Sequence, residues 1–97
     1  MAKNTDENLL RTIGLRIREL RKSKNLSIQE VAYRIGMEKS NLSVIENGRS
    51  NPQLLTYAKI ASALGIQLKD LFDFNFDLNE FNSTPNLYKP RKHKKEK

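Results

Sequence analysis

Two short helical patterns separated by a single glycine, running from Ser27 to Gly48 (SIQEVAYRIGMEKSNLSVIENG), leave this chain few ways to fold. Ser27 precedes an apolar-periodic run and is followed three residues later by Glu30, the reciprocal signature of a capped helix start. Val31, Ala32 and Ile35 recur at helical spacing, so one face of that helix is apolar. Gly36 closes it where left-handed backbone is wanted, which glycine reaches without a Cβ penalty. In the second helix Leu42 and Ile45 form the inward pair and Gly48 is the stop. Lys39, Ser40, Asn41, Ser43, Val44 and Asn47 are left facing outward, nearly all of them short or polar. Ala32 is small where the two helices must cross, which lets the backbones approach at a steep angle.

The flanking pattern is helical on both sides. A first helix is predicted from Glu7 to Lys24, after frayed residues 1–6, with Leu9 or Leu10, Ile13, Ile17 and Leu20 as its core stripe. Asn25 is suited to a left-handed C-terminal cap. Pro52 is expected to open a fourth helix, capped by Ser50 or Asn51, with Leu54, Tyr57, Ile60, Ala61 and Leu64 inward and Gly65 as its stop. Leu68, Leu71 and Phe72 suggest a short fifth helix across Ile66–Phe72. The expected core is Ile13, Ile17, Leu20, Val31, Ile35, Leu42, Ile45, Tyr57, Ile60, Ala61, Leu64 and Leu71. Glu46 is expected to pair with a basic residue of the first helix, Arg16 being the candidate.

Beyond Phe72 the period changes. Phe72, Phe74 and Phe76 alternate with Asp73, Asn75 and Asp77, a two-residue repeat that reads as a strand. A lone strand has nothing on which to bury its aromatics, so self-association through Leu68, Phe72, Phe74 and Phe76 is expected. The competing reading wraps the phenylalanines onto their own domain. The chain then divides into a domain at 1–72, an apolar extension at 73–84 and a basic, flexible tail at 85–97.

The net charge of +7 is unevenly placed. Residues 1–49 carry ten Lys/Arg against six Asp/Glu, residues 50–88 two against four, and residues 89–97 six against one. A basic front half suits a phosphate-binding surface, although a solubility role would leave the same trace. With no Cys there is neither a thiolate metal site nor a thiol nucleophile, and the composition suits the reducing cytoplasm. The lone His93 sits in the charged tail, and no Gly-rich phosphate loop or metal-ligand cluster is present, so an enzyme is a poor fit and no cofactor is expected. No stretch is long and apolar enough for a membrane span, and the N-terminus does not read as a signal peptide.

These residues together resemble the Cro and phage-repressor (XRE-like) helix-turn-helix family. The resemblance is carried by Gln29-Glu30-Val31-Ala32, Gly36 four residues after Ala32, Ser40, Leu42, Ile45-Glu46-Asn47-Gly48 and Pro52, and it covers Ile13 to Phe72. It implies an all-α, five-helix, lambda-repressor-like domain, here followed by a short extended segment and the basic tail. It also implies a transcription regulator that binds double-stranded DNA as a homodimer on a palindromic operator. Lys39, Ser40, Ser43 and Val44 match the family's base-facing positions, and Gln29 matches a backbone-contacting region. Lys39 can donate to guanine, Ser40 and Ser43 can donate or accept, and Val44 can meet a thymine methyl, while Asn41 can reach adenine or a phosphate. Further phosphate contacts are expected from Tyr33, Arg34, Asn47, Arg49 and Ser50. The other class of function is a protein-interaction module, such as an antitoxin or adaptor, which the phenylalanine-rich segment would serve.

Overall fold

The computed structural model describes residues 4–82, and the basic tail lies outside them. Five α-helices follow one another: α1 (Thr5–Ser23), α2 (Ile28–Arg34), α3 (Lys39–Glu46), α4 (Leu54–Leu64) and α5 (Leu68–Leu71), then a 3-10 turn at Leu78–Asn82. The domain is all-α, as the sequence implies.

Helix starts and stops follow local chemistry. The α1 helix begins two residues earlier than expected because the Asn4 side chain accepts from the Glu7 N–H at 3.0 Å, so residues 5 and 6 are helical rather than frayed. The first four helices end in the same hydrogen-bonded turn, with left-handed residues at Asn25, Gly36, Gly48 and Gly65. In each, the N–H beyond the left-handed residue returns to a carbonyl five positions back: Leu26 to Arg21, Met37 to Ala32, Arg49 to Val44 and Ile66 to Ala61. The α4 start is a correction. Pro52 stays outside the helix, the N-cap is Gln53, and the first helical residue is Leu54 rather than Pro52.

The core is Ile13, Ile17, Val31, Ala32, Leu42, Ile45, Tyr57, Ile60, Ala61, Ala63, Leu64 and Leu71. Leu20 and Ile35, expected inside, are half-buried at its margin, and Ala32 and Ala63 are buried in addition to the residues expected. Gly14 is a residue whose importance the sequence pattern does not advertise. A Cβ there would lie 2.4 Å from the Glu46 carbonyl oxygen and 2.5 Å from that of Ile45. The C-terminal end of α3 therefore rests directly on the backbone of α1. Arg16 joins α1 to α5 instead of meeting Glu46, its Nε donating to the Asp70 carbonyl at 3.0 Å.

The expected strand after Phe72 is absent among the described residues, and 73–77 have no regular secondary structure. Phe72 caps α5 and stands edge-on to Tyr57, ring centroids 5.7 Å apart. Phe74 packs against the core, and Phe76 tilts onto Phe81 at 6.5 Å. The 3-10 turn comes back beside the start of α1, where the Thr5 hydroxyl donates to the Glu80 carbonyl at 3.5 Å. The alternation of aromatic and polar residues has a different cause from the one read in sequence. Phe74 and Phe76 find partial cover on the chain's own domain, which a solitary strand cannot supply, while Phe72 stays 36% exposed.

Candidate nucleic-acid interface

The α2 helix is fixed before α3 is placed. Ser27 Oγ accepts from the Glu30 N–H at 3.0 Å, and the Glu30 carboxylate accepts from the Ser27 N–H at 2.8 Å, closing the capping box that the sequence announces. That carboxyl is held below its usual range, first by the Ser27 backbone N–H and then by the Ser27 hydroxyl. Val31 and Ala32 face the core, and the glycine turn at Gly36 delivers the chain to α3 within a few residues.

The two ends of α3 differ in what surrounds them. At its start, Glu38 occupies the N-cap without a side-chain cap bond, and Lys39, Ser40 and Asn41 are exposed. None of these four side chains has a hydrogen bond or ion pair among the described residues. Val44, one turn further on, is 38% exposed, whereas Ser43 is half-buried. Leu42 and Ile45 anchor the opposite face in the core. Lys39, Ser40, Asn41 and Val44 thus form one open ridge on a helix whose other side is packed, while Ser43 is half-buried and its hydroxyl accepts from Asn47 at 3.5 Å.

At its end α3 is clamped. Glu46 is 3% exposed and receives two bonds from Arg21, Nε to Oε2 at 2.7 Å and a terminal nitrogen to Oε1 at 3.0 Å. The second terminal nitrogen of Arg21 donates to the Leu26 carbonyl at 2.9 Å, so the fork also holds the turn between α1 and α2. The Arg21 pKa rises above its ordinary value, chiefly through the Glu46 hydrogen bond. Arg18 adds a longer contact to Glu46 at 3.5 Å and donates to Asn47 Oδ1 at 2.7 Å. Asn47 in turn donates to the Ser43 carbonyl at 3.0 Å. The expected pairing of Glu46 with Arg16 is replaced by Arg21 and Arg18. The signal was present, since Arg21 stands four residues after Ile17 on the core-facing stripe, where an arginine must find a buried acid.

The residues expected to hold phosphates differ in exposure and in the bonds they already make. Gln29, Tyr33 and Arg49 are exposed, Tyr33 at 85%, and their side chains have no partners among the described residues. Ser50 is half-buried in the loop after α3. Arg34 and Asn47 already have internal work: Arg34 donates to the Ala63 carbonyl near the end of α4 at 2.8 Å, and Asn47 orients Arg18. No cluster of metal-ligating side chains occurs among the described residues, and none of the described helices is long and apolar enough to cross a membrane.

An exposed polar ridge on one short helix, braced by a second helix and locked at its far end, has the form of a helix-turn-helix. The comparisons with known proteins agree. The helix-turn-helix family model matches residues 17–71. The chain is 38% identical over 68 residues to control protein C.BamHI of Bacillus amyloliquefaciens, covering 69% of this chain and 84% of that protein. It is 40% identical over 57 residues to the immunity repressor protein of Bacillus phage phi105, covering 59% of this chain and 40% of that protein. Among solved structures, the restriction-modification controller protein C.AhdI from Aeromonas hydrophila superposes with a TM-score of 0.65 at 37% identity, over 67% of this chain and 98% of that one. The chain belongs to this helix-turn-helix family, and it is a DNA-binding transcriptional regulator, not an enzyme.

Proposed function

We propose that the chain represses or autoregulates transcription as a homodimer bound to a two-fold symmetric operator. Lys39, Ser40, Asn41, Ser43 and Val44 read base edges, and Gln29, Tyr33, Arg34, Asn47, Arg49 and Ser50 position the helix against phosphates. The observation that carries this reading is the unpartnered ridge at the start of α3, on a helix whose end is immobilised by Glu46. Similarity to control proteins and to a phage immunity repressor supports a regulator that acts at particular sites.

Support for the dimer comes from apolar side chains left in solvent. Leu54 and Leu55, in the first turn of α4, are 61% and 69% exposed, and Phe72 is 36% exposed. Leu54 lies one turn before Tyr57 on the same face of α4, and Phe72 rests on Tyr57. Leu68, Phe74 and Phe76 are half-buried in the same monomer, so they back this surface more than they extend it. A dimer that engages both half-sites of such an operator needs its two α3 helices about 34 Å apart, one turn of duplex.

Selection of bound duplexes from a random pool tests the proposal. The expected result is an inverted repeat whose half-sites are about one helical turn apart. Recovery of sequences with no shared motif would overturn it, and a single half-site would overturn the dimer.

A further inference from the structure

We propose that Arg11, Arg18 and Arg49 form a second phosphate-binding strip, along the cleft between α1 and the loop after α3. The strip rests on the DNA-binding reading and carries the duplex contact past the helix-turn-helix onto the first helix.

The cleft is built by a close approach. Gly48 is left-handed, at φ 72°, and a Cβ there would stand 2.5 Å from Arg11 Cα and 2.7 Å from its nitrogen. Only a bare backbone lets the loop settle on α1 at this point, and it brings Arg49 into the same open cleft as Arg11 and Arg18. Residues 7, 11, 15 and 18 share one face of α1 and form its wall.

Charge in this cleft is not balanced. Glu46 is matched by the two-pronged bond from Arg21, so Arg18 contributes a cation in surplus while Asn47 holds its guanidinium at the cleft. Arg11 and Arg49 are exposed and without side-chain partners among the described residues. The opposing group is Glu7, in the first turn of α1, where the helix end itself favours a carboxylate. Three guanidinium groups therefore face one free acid, which does not neutralise them, and the cleft keeps a net positive charge.

A duplex fits this arrangement better than an acidic protein would. The cleft continues from Asn47 and Arg49, which directly follow the reading helix, so a backbone lying along that loop runs on toward α1. Arg11 and Arg18 are separated by about 10 Å of helix axis, so the strip presents cations at separate points along a phosphate backbone. Guanidinium forks also suit phosphate oxygens.

The test compares the full chain with Arg11→Ala and Glu7→Gln on two duplexes of about 30 base pairs, one selected from the random pool and one scrambled. Arg11→Ala is expected to weaken both duplexes alike, by about fivefold, and to lower the slope of log affinity against log salt by about 0.9. Glu7→Gln should tighten both. If neither variant moves affinity or slope on either duplex, the strip is refuted even where Lys39→Ala still abolishes the preference for the selected one. If the chain shows no such preference but both variants shift the scrambled duplex as stated, the strip stands and base reading fails. Thermal melting of both variants at the parent temperature excludes a folding defect as the cause.

Discussion

The two ends of α3, Lys39 and Glu46, are about two helical turns apart, yet they are built on opposite terms. The first turn offers Lys39, Ser40 and Asn41 to solvent with no internal partners. The last is sealed by Arg21 against Glu46 and by the bare backbone of Gly14. A reading helix needs this asymmetry. Side chains that must match a base edge have to be free of prior bonds, but they discriminate only if the helix beneath them does not rock. Rigidity at one end is what makes freedom at the other useful, and mutations at the two ends should fail in different ways.

The largest effect is expected at the sealed end. Glu46→Ala leaves Arg21, itself only 9% exposed, as a buried cation without its acid. Removing one member of such a pair costs about 3–5 kcal/mol, which approaches the whole stability of a small domain. Urea denaturation should show the loss with little change in slope. Near-parental stability in Glu46→Ala would mean that the clamp is not what fixes α3.

At the open end the balance reverses. Lys39→Ala is expected to leave the denaturation midpoint unchanged and to cost about 1–3 kcal/mol of binding on the selected duplex. Binding to a scrambled duplex should be nearly unaffected. An equal loss on both would demote Lys39 from base reading to general phosphate attraction and would dissolve the contrast between the two ends.

The same contrast explains what could be read from the sequence. Periodicity placed five helices and ten of the twelve core residues, because apolar spacing, glycine stops and the Ser27–Glu30 box are local rules that the fold obeys. The open ridge was legible for the same reason: once Leu42 and Ile45 face inward, helical geometry assigns the rest. What escaped depends on contacts distant in sequence. Gly14 resembles a weak helix residue until the carbonyls of Ile45 and Glu46 are brought onto it. The acid partner of Arg21 lies 25 residues away, and nothing local distinguishes Arg16 from Arg21 except one position on the helical stripe. Phe72, Phe74 and Phe76 misled because a period of two also arises when a turning segment tucks alternate rings onto a core already present.

The smallest effect should come from the capping box, which closes the start of α2 without touching either end of α3. Ser27→Ala removes the hydroxyl that accepts from the Glu30 N–H and is expected to cost about 1 kcal/mol. The acid dependence sharpens the assignment. Because the Glu30 carboxyl is held below its usual range when folded, its contribution is complete above the ordinary carboxylate value and fades as pH falls through the folded one. Glu30→Gln should therefore shrink the gap between variant and parent as pH drops from neutral to below 4 (roughly the carboxylate range). A gap that stays constant across that window would show that the Glu30 charge has no part in holding α2. The brace for the reading helix would then rest on the apolar contacts of Val31 and Ala32.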